Sequence, residues 1–155
     1  TRKESSAASD VYKRQLYARP GVEAACLELQ AAGADVCLVL CGLWLDSRGV
    51  GHDPDREGQL RHIAEPWRQE VVKPLRALRQ AWREAASQDA ALNALRKQVK
   101  QLELEAEREQ LARLQALAQT WPQQAGKRLN AWLQALTPEA CSDARQALQM
   151  PVKIS

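Results

Sequence analysis

The stretch Asp35-Val-Cys-Leu-Val-Leu-Cys-Gly-Leu-Trp-Leu-Asp46 decides how the rest of the chain is read. Its interior carries no charge, and wound as a helix it presents apolar side chains in every direction. A helix of that kind belongs inside a core. It is too short to span a bilayer, which takes roughly 20 apolar residues. The stretch therefore predicts a buried central helix over about 35–46, and the segments on either side must cover it.

On the upstream side, Val22, Ala25, Cys26 and Leu29 recur at helical spacing between Pro20-Gly21 and a stop at Gly33. On the downstream side, Asp53 offers an N-cap with Pro54 at the first helical position. Leu60, Ile63 and Ala64 then face inward, and Trp67, Val71, Leu75, Leu78 and Trp82 continue the apolar stripe to about Ala86. Pro66 and Pro74 each predict a break or kink, because an interior proline loses a hydrogen bond and clashes with the preceding turn. Ser87-Gln88-Asp89 leads into the longest helix, about 89–119, which extends roughly 45 Å at 1.5 Å per residue. Leu92, Leu95, Val99, Leu102 and Ala106 give it heptad-like spacing of the coiled-coil kind. A second stripe, Leu104, Leu111 and Ala118, is rotated from the first and suits packing against two neighbours in the same chain. Leu129, Trp132, Leu133 and Leu136 mark a short amphipathic helix, and Thr137-Pro138-Glu139 predicts the cap of another that runs to about Gln149.

The expected fold class is all-α. It is a compact bundle of six or seven helices around the buried central helix, with a long antiparallel helical hairpin of about 54–86 and 89–119. A length of 155 residues fits one domain, and abundant Ala, Leu, Gln, Glu and Arg with no Phe suits helices. Cys26, Cys37, Cys41 and Cys141 lack the spacing of a disulfide framework. They are expected to be reduced thiols in a cytoplasmic protein without a signal peptide or membrane span.

The chain begins at Thr1, and Asp10-Val-Tyr-Lys-Arg-Gln15 resembles the in-frame translation of a transposon-end sequencing adapter. Residues 1–15 are therefore expected to be a non-native tail, 16–149 a single helical domain and 150–155 a frayed end. With a first helix lost in this way, apolar surface should be bare near Leu16, Val22 and the central helix. The net charge is +3, but without residues 1–15 the chain holds 18 basic against 17 acidic residues. That balance does not indicate a general nucleic-acid footprint.

Two runs point to a family. Leu16-Tyr-Ala-Arg-Pro-Gly-Val-Glu-Ala-Ala-Cys-Leu is followed by Gly-Ala-Asp-Val-Cys-Leu-Val-Leu-Cys-Gly-Leu-Trp-Leu. Further on comes Ala64-Glu-Pro-Trp-Arg-Gln-Glu-Val-Val-Lys-Pro-Leu-Arg-Ala-Leu-Arg. Together these resemble an uncharacterised bacterial family, common in pseudomonads and their relatives, carried as a domain of unknown function. The resemblance covers about residues 16–135 and implies a small helical cytoplasmic protein, with no assigned reaction. In that family a further helical turn or two precedes the Leu-Tyr-Ala-Arg segment.

The chain's reactive side chains do not assemble into a recognised chemistry. Cys37 and Cys41 share a helix face, but a structural zinc site needs four ligands, and Cys26, His52 and His62 are not spaced to complete one. His52 lies in a Gly-rich loop and His62 on a helix, with no Ser or Cys elbow beside either. Glu103, Glu105, Glu107 and Glu109 form an acidic run without the Glu-x-x-His partners of a carboxylate metal site. It is expected to be solvated, or to pair across the hairpin with Arg76, Arg79 and Arg83. No catalytic residue, metal site or cofactor is expected.

Lys73, Arg76, Arg79 and Arg83 form the clearest basic strip and are the candidate partner surface. The same guanidinium groups could instead pair with Glu84, Glu103 or Glu107. The leading expectation is a non-catalytic helical interaction or accessory module with a cytoplasmic protein partner. The alternative is a weak nucleic-acid binder using the same strip on helix 66–86.

Overall fold

The computed structural model describes residues 11–124 and 130–149, so the expectations for 1–10, Leu129 and 150–155 lie outside the described residues. Among the described residues the chain is helical, with no strand. The helices are α1 (11–17), α2 (Val22–Ala31), α3 (Val36–Ser47), α4 (Pro54–Trp67), α5 (Lys73–Ala81), α6 (Arg83–Ala86), α7 (Ala90–Ala118), α8 (Ala131–Leu136) and α9 (Ser142–Leu148). The all-α bundle with a central helix and a long hairpin is what the sequence predicts.

Helix α3 is the central element. Asp35 caps it, its carboxylate accepting from the Leu38 N–H at 3.2 Å, which satisfies one of the donors a helix start leaves open. Leu38, Val39, Leu40, Cys41, Leu43 and Leu45 are each at most 3% exposed. Four helices supply that cover, since α2, α4, α7 and α8 all pack on α3. Gly42 is what lets α8 come so close. A Cβ there would lie 2.6 Å from a Leu136 methyl and 3.3 Å from the Trp132 Cβ.

The amino-terminal region departs from expectation. Leu16 is 5% exposed and Val22 is fully buried, where bare apolar surface was predicted. Two contacts explain the correction. Helix α1 lays Tyr12 and Tyr17 against the core, and α9 packs along α2. Arg19 fastens the second contact by donating to the Gln149 carbonyl at 2.8 Å.

The hairpin also refines its prediction. Helix α4 runs straight through Pro66, and the irregularity falls just after it, as a π-helical turn over Arg68–Val72. There the Lys73 N–H reaches back to the Arg68 carbonyl. The wider turn falls directly before Pro74, the second residue of α5, and accommodates the lost i→i−4 bond and the ring clash that a proline brings to a continuous helix. Trp82 ends α5 with a turn before α6. Helix α7 then starts at the Asp89 cap, which accepts from the Leu92 N–H at 3.1 Å, and its 29 residues run back along α6, α5 and α4.

The short helices hold one surprise. Thr137 does not cap the next helix. Its hydroxyl donates to the Leu133 carbonyl at 2.6 Å and accepts from Arg145, and a 3-10 turn, Glu139–Cys141, leads into α9 instead. The start of α8 is held from a distance by α3. The Asp46 carboxylate accepts from the Trp132 and Leu133 N–H groups, both at 3.1 Å.

The main core gathers residues from α1, α2, α3, α8 and α9 but stops at Ala64 on α4 and Leu111 on α7. The hairpin between those points, residues 65–110, is an arm with a different means of support.

Candidate interaction site on the hairpin

The sequence places Lys73, Arg76, Arg79 and Arg83 on one strip, and the structure divides them. Arg76 and Arg79 turn toward α7. Arg76 Nε donates to Glu103 at 3.1 Å, and its Nη2 donates to Glu107 at 3.1 Å. Arg79 grips Glu103 with both Nε and Nη2. Their side chains are only 17% and 21% exposed, while Lys73 and Arg83 stand exposed. Of the two readings of the strip, cross-hairpin pairing therefore accounts for its middle pair.

Glu103 is the hub, 5% exposed and bonded to both guanidinium groups. Burial pushes its carboxyl up, but the hydrogen bonds from Arg79 and Arg76 outweigh that and hold it below the usual glutamate range. Glu107 differs. Burial there dominates the help from Lys13 and Arg76, and its carboxyl is raised. The acidic run is thus split by helix phase, since Glu103 and Glu107 face α5 while Glu105 lies exposed.

The Arg76–Glu107 pair marks one flank of the hairpin. At 100° per residue, Leu78 on α5 and Leu95 and Leu102 on α7 fall on the opposite flank. They are 39%, 50% and 50% exposed. Val99 and Ala106 of the heptad-like stripe are buried, and Leu92 is half-buried. The stripe is half covered by α5, and the other half faces outward.

The paired flank borders a cleft of about 350 Å3, enclosed by α2, the α2–α3 turn, the π-helical turn, α5 and α7. Asp35 and Gln110 meet in it, with the Gln110 amide donating to the carboxylate at 2.8 Å. Burial raises the Asp35 carboxyl against the opposing pull of its bond from Leu38 and the Arg68 charge. Leu27 and Leu104, 61% and 41% exposed, stand on opposite walls. Sequence reading missed this cleft. The second stripe placed Leu104 against a neighbour in the chain, but it stands 41% exposed, and Leu27 carried no assignment.

The other candidate groups take structural places. All four cysteines are buried thiols. Burial pushes Cys37 and Cys41 well above the ordinary thiol range, which suppresses the thiolate that redox and metal chemistry need. His52 bonds Glu57 at 2.7 Å and lies edge-on to the Trp132 ring, and His62 is exposed on α4. Among the described residues no group of three or more His, Cys, Asp or Glu is placed to hold a metal ion. No helix among them is long and apolar enough to cross a membrane.

No curated protein and no solved structure matches the chain. The sequence profile of DUF2390, described as a protein of unknown function, matches residues 11–114. That span begins inside the stretch read as adapter-derived, runs through α3 and takes in the whole arm. The chain belongs to the DUF2390 family of proteins of unknown function.

Proposed function

We propose that this chain is a non-catalytic helical interaction module of the bacterial cytoplasm, which binds a protein partner through the hairpin 54–119. The observation that carries this reading is where the exposed apolar side chains lie. Of the six large hydrophobic residues left exposed among the described residues, four (Leu78, Leu95, Leu102 and Leu104) are on the hairpin. Three of these share the flank away from the ion pairs, with heptad spacing between Leu95 and Leu102. Such a stripe offers the holes that another helix fills with its own side chains. Lys73 lies about 140° round α5 from Leu78, and exposed Lys73 and Arg83 act on encounter more than on affinity.

The test is quantitative. A partner recovered from the native lysate is purified, and its affinity for variants of the full chain is measured. Leu95→Glu with Leu102→Glu should weaken binding about tenfold or more, which is about 1.4 kcal/mol. Lys73→Gln with Arg83→Gln should change it by less than about threefold. An affinity indifferent to the leucine pair sinks the reading. Steeply salt-dependent binding to unrelated duplex DNA, lost with Lys73 and Arg83, would favour the nucleic-acid alternative.

A further inference from the structure

The side chains around the leucine flank of the hairpin specify what it takes. At 100° per residue, Pro74 and Ala81 lie within about 60° of Leu78 on α5, and Ala91 and Gln98 lie within about 60° of Leu95 on α7. All four are exposed and none is charged, so a neutral surface runs along the arm beside the leucines. Toward the base of the arm it turns acidic. Glu105 lies about one turn beyond Leu102 and about 60° round α7 from it. Glu70 lies about two turns before Leu78 and within about 80° of it. Both are exposed, and neither is in an ion pair among the described residues. The Gln101 amide reaches Glu105 at 3.5 Å.

The basic side chains of the arm point elsewhere. Arg96, Lys97, Lys100 and Arg108 lie about 100° or more round α7 from both Leu95 and Leu102, and Lys73, Arg76 and Arg79 lie as far round α5 from Leu78. Arg113 returns to within about 20° of Leu102, but it donates to Glu109 at 3.1 Å and lies 4.0 Å from the centroid of the Trp67 ring. Glu70 and Glu105 are thus left without a counter-charge among the described residues, at one end of an otherwise neutral surface.

That polarity meets a second observation. Helix α5 packs on α7 but leaves Leu95 and Leu102, one heptad apart, each 50% exposed. Spaces at that interval on a helix are filled by side chains of another helix at the same interval. The amino end of a helix carries the positive end of its dipole, which favours placing that end over the acids. We propose that the flank takes an amphipathic helix of a protein partner, with aliphatic side chains at heptad spacing over Leu95 and Leu102. At its amino end, two basic side chains face Glu105 and Glu70 at the base of the arm. The inference rests on the interaction-module reading and adds the charge and direction of the partner.

The probe is acetyl-Lys-Gln-Ala-Lys-Ala-Ala-Gln-Leu-Ala-Gln-Ala-Leu-Ala-Gln-Leu-amide, titrated into the full chain and followed by the backbone amide signals of Leu95 and Leu102. Its counterpart has Glu in place of both Lys. Acids at the amino end make the counterpart the better isolated helix, so a preference for the Lys probe does not come from helicity. Saturable shifts are expected, with the Lys probe about tenfold tighter at low salt and the gap closing as salt rises. Glu70→Lys with Glu105→Lys should reverse the preference and, since both positions are exposed, leave the melting temperature unchanged. The proposal is overturned if the two probes bind equally well or if neither shifts those signals saturably. It is also overturned if the chain sediments as a dimer that Leu95→Glu with Leu102→Glu splits, which would make a second copy the occupant. Equal binding of both probes, abolished by the leucine variant, would fail the charge assignment alone and leave the interaction-module reading standing. Probe binding indifferent to the leucine variant would fail both.

Discussion

The central helix and the hairpin arm are both helical and both carry apolar side chains at helical spacing, yet they are held by different forces. Helix α3 buries leucines on every side, and four helices share the work of covering it. Helix α5 contributes no buried residue at all. The arm instead depends on directional bonds. The Trp67 indole donates to the Ala106 carbonyl at 2.8 Å, Arg96 donates to the Arg79 carbonyl at 2.9 Å, and Glu103 joins Arg76 to Arg79. A two-helix arm has too little interior to exclude water from its stripe. Polar pairs hold its geometry, and its remaining leucines stay available.

The widest separation between the two regions should appear in leucine truncations. Leu40→Ala on α3 removes a side chain that is 2% exposed and should cost about 2–5 kcal/mol, the transfer loss plus the cavity left behind. Leu102→Ala on the arm, at 50% exposure, should stay within about 0.5 kcal/mol. Urea unfolding of both variants measures the difference. Equal costs would mean that the arm's leucines are covered in solution, by another copy or by a fold unlike this one.

How far the sequence could be read follows the same division. Helix α3, expected over about 35–46, and α7, expected over about 89–119, were legible to within a residue because helix periodicity and end signals act locally. Pro66 and Pro74 announced an irregularity, but not that one wider turn between them would absorb it. Asp46 is only the last residue of the stretch that predicts α3. Its bonds to Trp132 and Leu133, 86 and 87 residues away, have no local signature. The cover over Leu16 and Val22 was missed for the same reason, since α9 supplies part of it from the far end of the described chain. At the candidate site, Arg76 and Arg79 could be matched to Glu103 and Glu107 once the hairpin was assumed. The cleft could not be found, because it needs α2 placed against α7.

The next largest effect belongs to the arm's ion pairs. Glu103→Gln keeps the shape but leaves Arg79 without a carboxylate and Arg76 with Glu107 alone. It should cost about 1–3 kcal/mol, below the loss for a fully buried pair because Arg76 keeps Glu107 and both guanidinium groups keep some solvent. Its pH dependence has a definite sign. The folded-state pKa of Glu103 lies below the ordinary 4.5, so its contribution is fully present above that value and is lost as pH falls through the lower folded value. The difference between wild type and Glu103→Gln in urea titrations should therefore be level from pH 5 to 8 and shrink under acid. A difference that instead grew under acid would contradict the network.

The central helix should show the opposite sign, which makes Asp46 the finest test of the contrast. Burial pushes its carboxyl from 3.8 up to about 6, against the pull of the Leu133 and Trp132 N–H groups and the nearby His52. Tyr12 also lies within its field. A group raised in the folded state takes up a proton on folding, so its contribution is fully present below 3.8 and is lost as pH rises through about 6. Asp46→Asn removes the titration while leaving one acceptor for the start of α8. The stability of wild type relative to this variant should fall between pH 4 and 7 by up to roughly 2 kcal/mol, a ceiling set below the full linkage value because part of the carboxyl stays near solvent. Over the lower part of that window the Glu103 comparison moves the other way. If the Asp46 comparison is flat from pH 4 to 7, the carboxylate stays ionised throughout. The junction of α3 and α8 would then be held as the arm is, by charge-assisted bonds, and the division between the two regions would narrow to their leucines.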